Sequence, residues 1–176
     1  MQRGLDSSAS SIAVRTRAVG LLARLAHDLE ISAGRFDGEV NDEGGAWTAR
    51  LVIPVDSLRV SGVVRGDRVE QGALSPNDQA EILHRMRDDA FLGAAEIIVT
   101  ASGASRGRAD VTVTVGAKAA RASTPLTVRE RDGGGLDVSG RCVLSLRALG
   151  ARDIKGPLGA FQLKDEVAVL FQLTLS

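Results

Sequence analysis

Apolar residues recur at every second position in several stretches of this chain, and that period constrains the fold more than any other feature. Successive side chains of a strand point to opposite faces, whereas a helical face returns after three or four residues. Trp47, Ala49, Leu51, Ile53 and Val55 alternate with Thr48, Arg50, Val52 and Pro54. Leu136, Val138, Gly140, Cys142, Leu144 and Leu146 alternate with Asp137, Ser139, Arg141, Val143, Ser145 and Arg147. Val111, Val113 and Val115 form a third set, and Val167, Val169, Phe171, Leu173 and Leu175 a fourth. Each pattern predicts a strand with one face in a core and the other toward water.

Further strands are expected at Ile12 to Ala18, Glu96 to Ala101 and Leu126 to Arg131. Another is expected from Leu29 to Val40, interrupted by a bulge or bend at Gly34 and Gly38. The run Asp132, Gly133, Gly134, Gly135 suits the positive φ angles of a hairpin turn and pairs Leu126–Arg131 with the strand that follows. The total is about eight strands, the number at which a closed antiparallel barrel is just wide enough inside for side chains or one small ligand. Closure also removes exposed edges. One segment departs from this period. Ser75, Pro76, Asn77 and Asp78 read as a capped helix start, so a short helix is expected over about 76–88, covering an end of the barrel. The all-β domain is assigned to residues 11–176, and residues 1–10 to a flexible N-terminus.

Charge narrows the partners. The 22 Lys and Arg residues balance 22 Asp and Glu, so no net field draws the chain toward nucleic acid or an anionic membrane surface. The opening MQRGLDSSAS lacks the apolar run of a signal peptide, and no apolar stretch is long enough to span a bilayer. A soluble, cytoplasmic protein is therefore expected, with no integral membrane segment.

Catalytic candidates are few. The single cysteine, Cys142, cannot form an internal disulfide and reads as a small core hydrophobe. His27 and Asp28 are adjacent, but neighbours in an extended chain face opposite ways, which argues against a catalytic hydrogen bond between them. His84 falls on the surface of the expected helix. No Cys/His cluster and no glycine-flanked nucleophilic serine occurs, so no metal, no cofactor and no catalysis are expected. The basic run Gly103 to Arg108 lacks aromatic partners and reads as a solvated hairpin tip.

The order of several short motifs resembles the YceI-like domain family. Gly140 to Ser145, then Leu149, Gly150, Ile154, Pro157, Leu158 and Gly159, followed by Lys164, Asp165, Glu166, Val167 and Val169, is similar to the closing pattern of that family. Upstream, Arg35 to Glu39, Val52 to Leu58, Asn77 through Met86 to Phe91, and Thr112 to Pro125 match its pieces in order, so the resemblance runs from about His27 to the end. The chain departs from the pattern at Ala95 to Val99, which lacks the usual proline and phenylalanine, and in the alanine-rich stretch Ala117 to Ala122.

The resemblance implies a lipocalin-like barrel around an elongated apolar cavity for a polyisoprenoid, quinone or fatty-acyl lipid. It also implies a homodimer, since such domains often pair. Alternation and resemblance together nominate Leu51, Ile53, Val99, Val113, Val115, Leu144, Leu146, Phe161 and Val169 as wall residues, with His27 and Arg35 near an opening. Alternation by itself is equally compatible with a barrel filled by its own side chains, which would make the chain a structural or protein-interaction domain. An enzyme using His27 is the third reading.

Overall fold

The computed structural model describes residues 1–20, 27–155 and 162–176. Among them the strands are β1 (Gln2–Arg15), β2 (Ala18–Val19), β3 (Leu29–Ala33), β4 (Asp37–Asp42), β5 (Trp47–Pro54), β6 (Leu58–Arg65), β7 (Arg68–Glu70), β8 (Glu96–Gly103), β9 (Arg108–Val115), β10 (Lys118–Glu130), β11 (Leu136–Ser145), β12 (Gln162–Leu163) and β13 (Glu166–Leu175). A helix, α1 (Pro76–Arg85), lies between β7 and β8. The order β4, β5, β8, β9, β10, β11, β13 is closed by β1, which pairs with both β4 and β13. Eight antiparallel strands thus form a closed barrel, as the alternation predicted. The order continues from β1 through β3 and β6 to β7, and β2 pairs separately with β12.

Two strands make corners where the sheet changes partner. β10 pairs with β9 from Lys118 to Pro125 and with β11 from Leu126 to Glu130. A proline sits mid-strand here because it occupies the corner, where its missing N–H interrupts no continuous ladder. β1 changes register on β13 between Asp6 and Ser11. Leu5 opposes Leu175 before this irregularity and Ile12 opposes Phe171 after it, so the inward positions switch from odd to even numbers. Within residues 1–10, expected as a flexible N-terminus, Gln2–Gly4 pair with β4, and Leu5 and Asp6 with β13. Ladder pairing holds residues 2–6 despite their polar sequence.

The two glycines expected to interrupt one strand have different roles. At Gly34 the chain turns between β3 and β4, and a Cβ there would stand 2.8 Å from the Ser57 carbonyl oxygen. Gly38 lies inside β4, where a Cβ would come within 2.7 Å of both the Arg50 carbonyl oxygen and the Leu51 side chain. The predicted β10–β11 turn uses Gly133 and Gly134, both at φ +88°.

Helix α1 begins as its sequence suggests. Ser75 Oγ accepts from the Asp78 N–H, and the Asp78 carboxylate accepts from the Ser75 N–H, a reciprocal capping box. Ile82 and Leu83 pack against the buried group Ile31, Phe36, Leu51, Ile53, Val55 and Leu58. A wide π-helical turn, Met86–Ala90, then delivers Phe91 to the same region of the barrel. The second buried group comprises the inward faces of β9 and β11 with Ala120, Leu149 and Val167.

Candidate functional site

The cross-strand register shows what faces inward. Directly opposed residues share a face, and the chain of partners Leu51–Val99–Val113 crosses β5, β8 and β9. Val14–Val169–Cys142 does the same across β1, β13 and β11. These side chains do not meet across the interior. They surround a cavity of about 220 Å³ that runs from Arg3, Asp42, Trp47 and Leu175 at one end to Phe91, Leu146, Leu149 and Val167 at the other. Inward residues such as Val99, Val169 and Phe171 remain only half-buried for this reason. The lumen of this structure thus holds a cavity between its inward side chains.

Eight of the expected wall residues line this cavity: Leu51, Ile53, Val99, Val113, Val115, Leu144, Leu146 and Val169. Phe161 lies outside the described residues. His27 is exposed ahead of β3, and Arg35 lies on the outside of the β3–β4 corner, 3.2 Å from Asp56. Neither is among the residues that line the cavity. The physical reason for Arg35 is its neighbour: Phe36 turns into the core, 2 % exposed, so Arg35 turns out. His84 pairs on the helix surface with Asp88 at 3.4 Å. The Asp28 carboxylate accepts from the Ala18 N–H at 2.9 Å, so its near oxygen serves the backbone rather than His27.

Cys142 lines the cavity and is buried. Burial pushes its thiol above the ordinary range, which keeps it protonated and of low nucleophilicity.

Polar groups gather at one end, and the sequence reading missed them. Arg106 sits at the exposed tip of the β8–β9 hairpin, as expected, and from there donates from Nη2 to Asp42 Oδ2 at 2.7 Å. The Asp42 carboxylate also accepts from the Gly44 N–H at 3.1 Å. The Arg106 hydrogen bond, followed by the Gly44 amide, holds Asp42 below the usual carboxylate range. Arg3 donates from Nη1 to the Gly134 carbonyl oxygen at 2.8 Å, and its Nε lies 3.7 Å from Asp42 Oδ2. Trp47, in register with Asp42, donates from its indole nitrogen to the Ser105 carbonyl oxygen at 2.9 Å. The signal that could have found this cluster was the position of Arg3 and Asp42 on strands, but only the part of β1 from Ile12 onward was legible as one.

The crystal structure of BcnA from Burkholderia cenocepacia matches 97% of this chain and 98% of its own, with a TM-score of 0.65 and 17% sequence identity. The chain has the fold of BcnA. Identity at that level shows shared architecture, and the match over nearly both full lengths includes the barrel with its helical connection. No protein-family model matches the sequence, and no curated protein matches it either. No helix among the described residues is long and apolar enough to cross a membrane.

Proposed function

We propose that this chain is a non-catalytic carrier or storage protein for a long apolar ligand, a polyisoprenoid, quinone or fatty-acyl lipid, held inside a YceI-like, lipocalin-type barrel. The observation that carries this reading is the 220 Å³ cavity with its aliphatic wall. At roughly 24 cal/mol per Å³, leaving such a space empty costs on the order of 5 kcal/mol, comparable with the net stability of many domains. A ligand that fills it recovers that loss.

Size and chemistry agree. Each water-sized group needs about 10–15 Å³ of such space, so the cavity accommodates roughly fifteen to twenty groups in a row. Burying each methylene contributes about 0.8 kcal/mol before the costs of ordering and association are subtracted. The inward positions on β11 run from Leu136 to Leu144, a path of roughly 26 Å along the strand at about 3.3 Å per residue. An extended chain suits that shape better than a compact ring system.

The test is mass spectrometry of an organic extract beside a native spectrum of the unextracted protein, before and after incubation with isoprenoid, quinone and fatty-acyl mixtures. A stoichiometric long-chain compound in either spectrum is expected. No mass increase with any of the mixtures, and none in the extract, would overturn the carrier reading.

A further inference from the structure

Arg3 occupies an inward position of β1 in a belt whose other members are aliphatic. It opposes Val40, which opposes Ala49, which opposes Ala101, and the belt continues to Val111 and Ala122. Three members of this belt are alanines, and Arg3, Val40, Ala49 and Ala101 all line the cavity. The Arg3 side chain is only 8% exposed.

Its hydrogen bonding is incomplete. Nη1 is taken by the Gly134 carbonyl oxygen, but Nε is buried and has no partner. Asp42 Oδ2 is too far from it, at 3.7 Å, to accept a hydrogen bond, and that oxygen is already engaged by Arg106 at 2.7 Å. Arg3 and Arg106 therefore share the buried Asp42 carboxylate at one end of an aliphatic cavity. Glu130, 3.5 Å from Arg106, is 79% exposed and faces water. A buried guanidinium with an unpaired donor is an expensive arrangement that an anion relieves, with charge-assisted hydrogen bonds as the gain.

We propose that the cavity takes a single-chain amphiphile with an anionic head, the head seated against Arg3 at the Asp42–Arg106 end and the tail extending toward Phe91 and Leu149. This rests on the carrier reading above and adds the ligand's head group and its orientation. Arg3 Nε, unpaired and buried beside the cavity, supplies the donor once the side chain turns toward the head group, Arg106 adds long-range attraction, and Asp42 holds Arg106 at the rim.

Trp47, the chain's single tryptophan, lines the same end and reports on it by fluorescence. The experiment titrates the full chain with palmitate, with hexadecan-1-ol and with acetate. Palmitate is expected to bind at least about tenfold more tightly than the alcohol, the scale of one charge-assisted interaction, and acetate not at all. Arg3→Met should bring the two long chains within about twofold of each other while alcohol binding is kept, and Arg3→Lys should retain part of the preference.

Equal binding of palmitate and the alcohol to the wild-type chain overturns the head-group assignment and leaves the carrier reading standing. A preference that survives in Arg3→Met overturns the role of Arg3. Acetate binding as strong as that of palmitate shows a free-anion site and overturns the amphiphile. If neither long chain binds, the carrier reading falls, and this inference with it. Should Arg3→Met not fold, carboxyl-labelled [1-13C]palmitate bound to the wild-type chain decides. Its carboxyl should stay ionised below the ordinary carboxylate range, and a titration moved upward, as in an apolar site lacking a cation, overturns the proposal.

Discussion

Arg106 Nη2 lies 2.7 Å from Asp42 Oδ2, which ties the tip of the β8–β9 hairpin to the end of β4 across the rim of the barrel. The contact holds Arg106 and Asp42 together among the residues that line the cavity. Because it holds Asp42 below its ordinary range, it also links stability to pH.

The sign of that link follows from proton uptake on unfolding. A carboxylate with a depressed folded value contributes stability that is fully present above its unfolded value and is lost as pH falls through the folded one. Asp6 and Asp165 are depressed as well, the first led by its Ser8 hydrogen bond and the second by the Arg147 N–H. Thermal melts should therefore hold a constant Tm from pH 7 to about 5 and fall progressively below about pH 4. Asp42→Asn should lower Tm at pH 7 and flatten the acid limb. An unchanged acid limb in that variant would show that the Arg106 contact carries no pH dependence.

Filling the lumen should separate binding from stability. Val169 is half-buried, faces the cavity and opposes Val14 and Cys142. Val169→Phe places a ring in empty space, so unfolding stability should change by no more than about 1 kcal/mol while long-chain ligand uptake drops at least about tenfold. By contrast, Ile53 is 4% exposed and packed among the residues beneath α1. Ile53→Ala should cost about 2–4 kcal/mol. Urea melts and lipid titrations on the two variants check both.

Gly140 on β11 makes room for Phe171 on β13. A Cβ at Gly140 would stand 2.5 Å from Phe171 Cζ and 3.1 Å from the Pro125 carbonyl oxygen. Phe171 faces the cavity, so a larger residue at 140 must drive the ring farther into the lumen. Gly140→Val should destabilise by about 1–3 kcal/mol and reduce lipid capacity as well. A variant that lost stability but kept full capacity would show that the ring moves elsewhere.

Asp165 organises the turn between β11 and the following loop. Its Oδ2 accepts from Ser145 Oγ at 2.8 Å and its Oδ1 from the Arg147 N–H at 2.8 Å. Asp165→Ala should cost about 2 kcal/mol through loss of two hydrogen bonds to a charged acceptor, and should raise amide exchange at Arg147. Asp165→Asn retains one acceptor oxygen and should fall between the two. Chemical denaturation with exchange at those amides measures it.

The cavity wall was largely legible before any tertiary structure, because a strand's period of two sorts side chains by face without reference to what lies opposite. Leu51, Ile53, Val113, Leu144 and Val169 follow from that rule, and so does the hairpin turn at Gly133 and Gly134. The capping serine and the adjoining proline likewise marked the start of α1, since helix ends are satisfied by local groups.

What lay beyond the sequence was everything that depends on register between distant strands. In β1 the irregularity between Asp6 and Ser11 switches inward positions from odd to even, which erases the alternation that would have placed Arg3 and Leu5 on the inner face. The meeting of Arg3, Asp42 and Arg106 depends on pairing β1 with β4 and on the fold-back of a hairpin tip, contacts separated by tens of residues. Whether the barrel is hollow depends on the circumference set by eight closed strands compared with the volume of the side chains pointing in. The sequence by itself determined the faces of the strands and the sites of the turns, because those are local properties. Only the tertiary structure decided the cavity and the charged group at its end, because enclosed volume and charge proximity are properties of strands brought together.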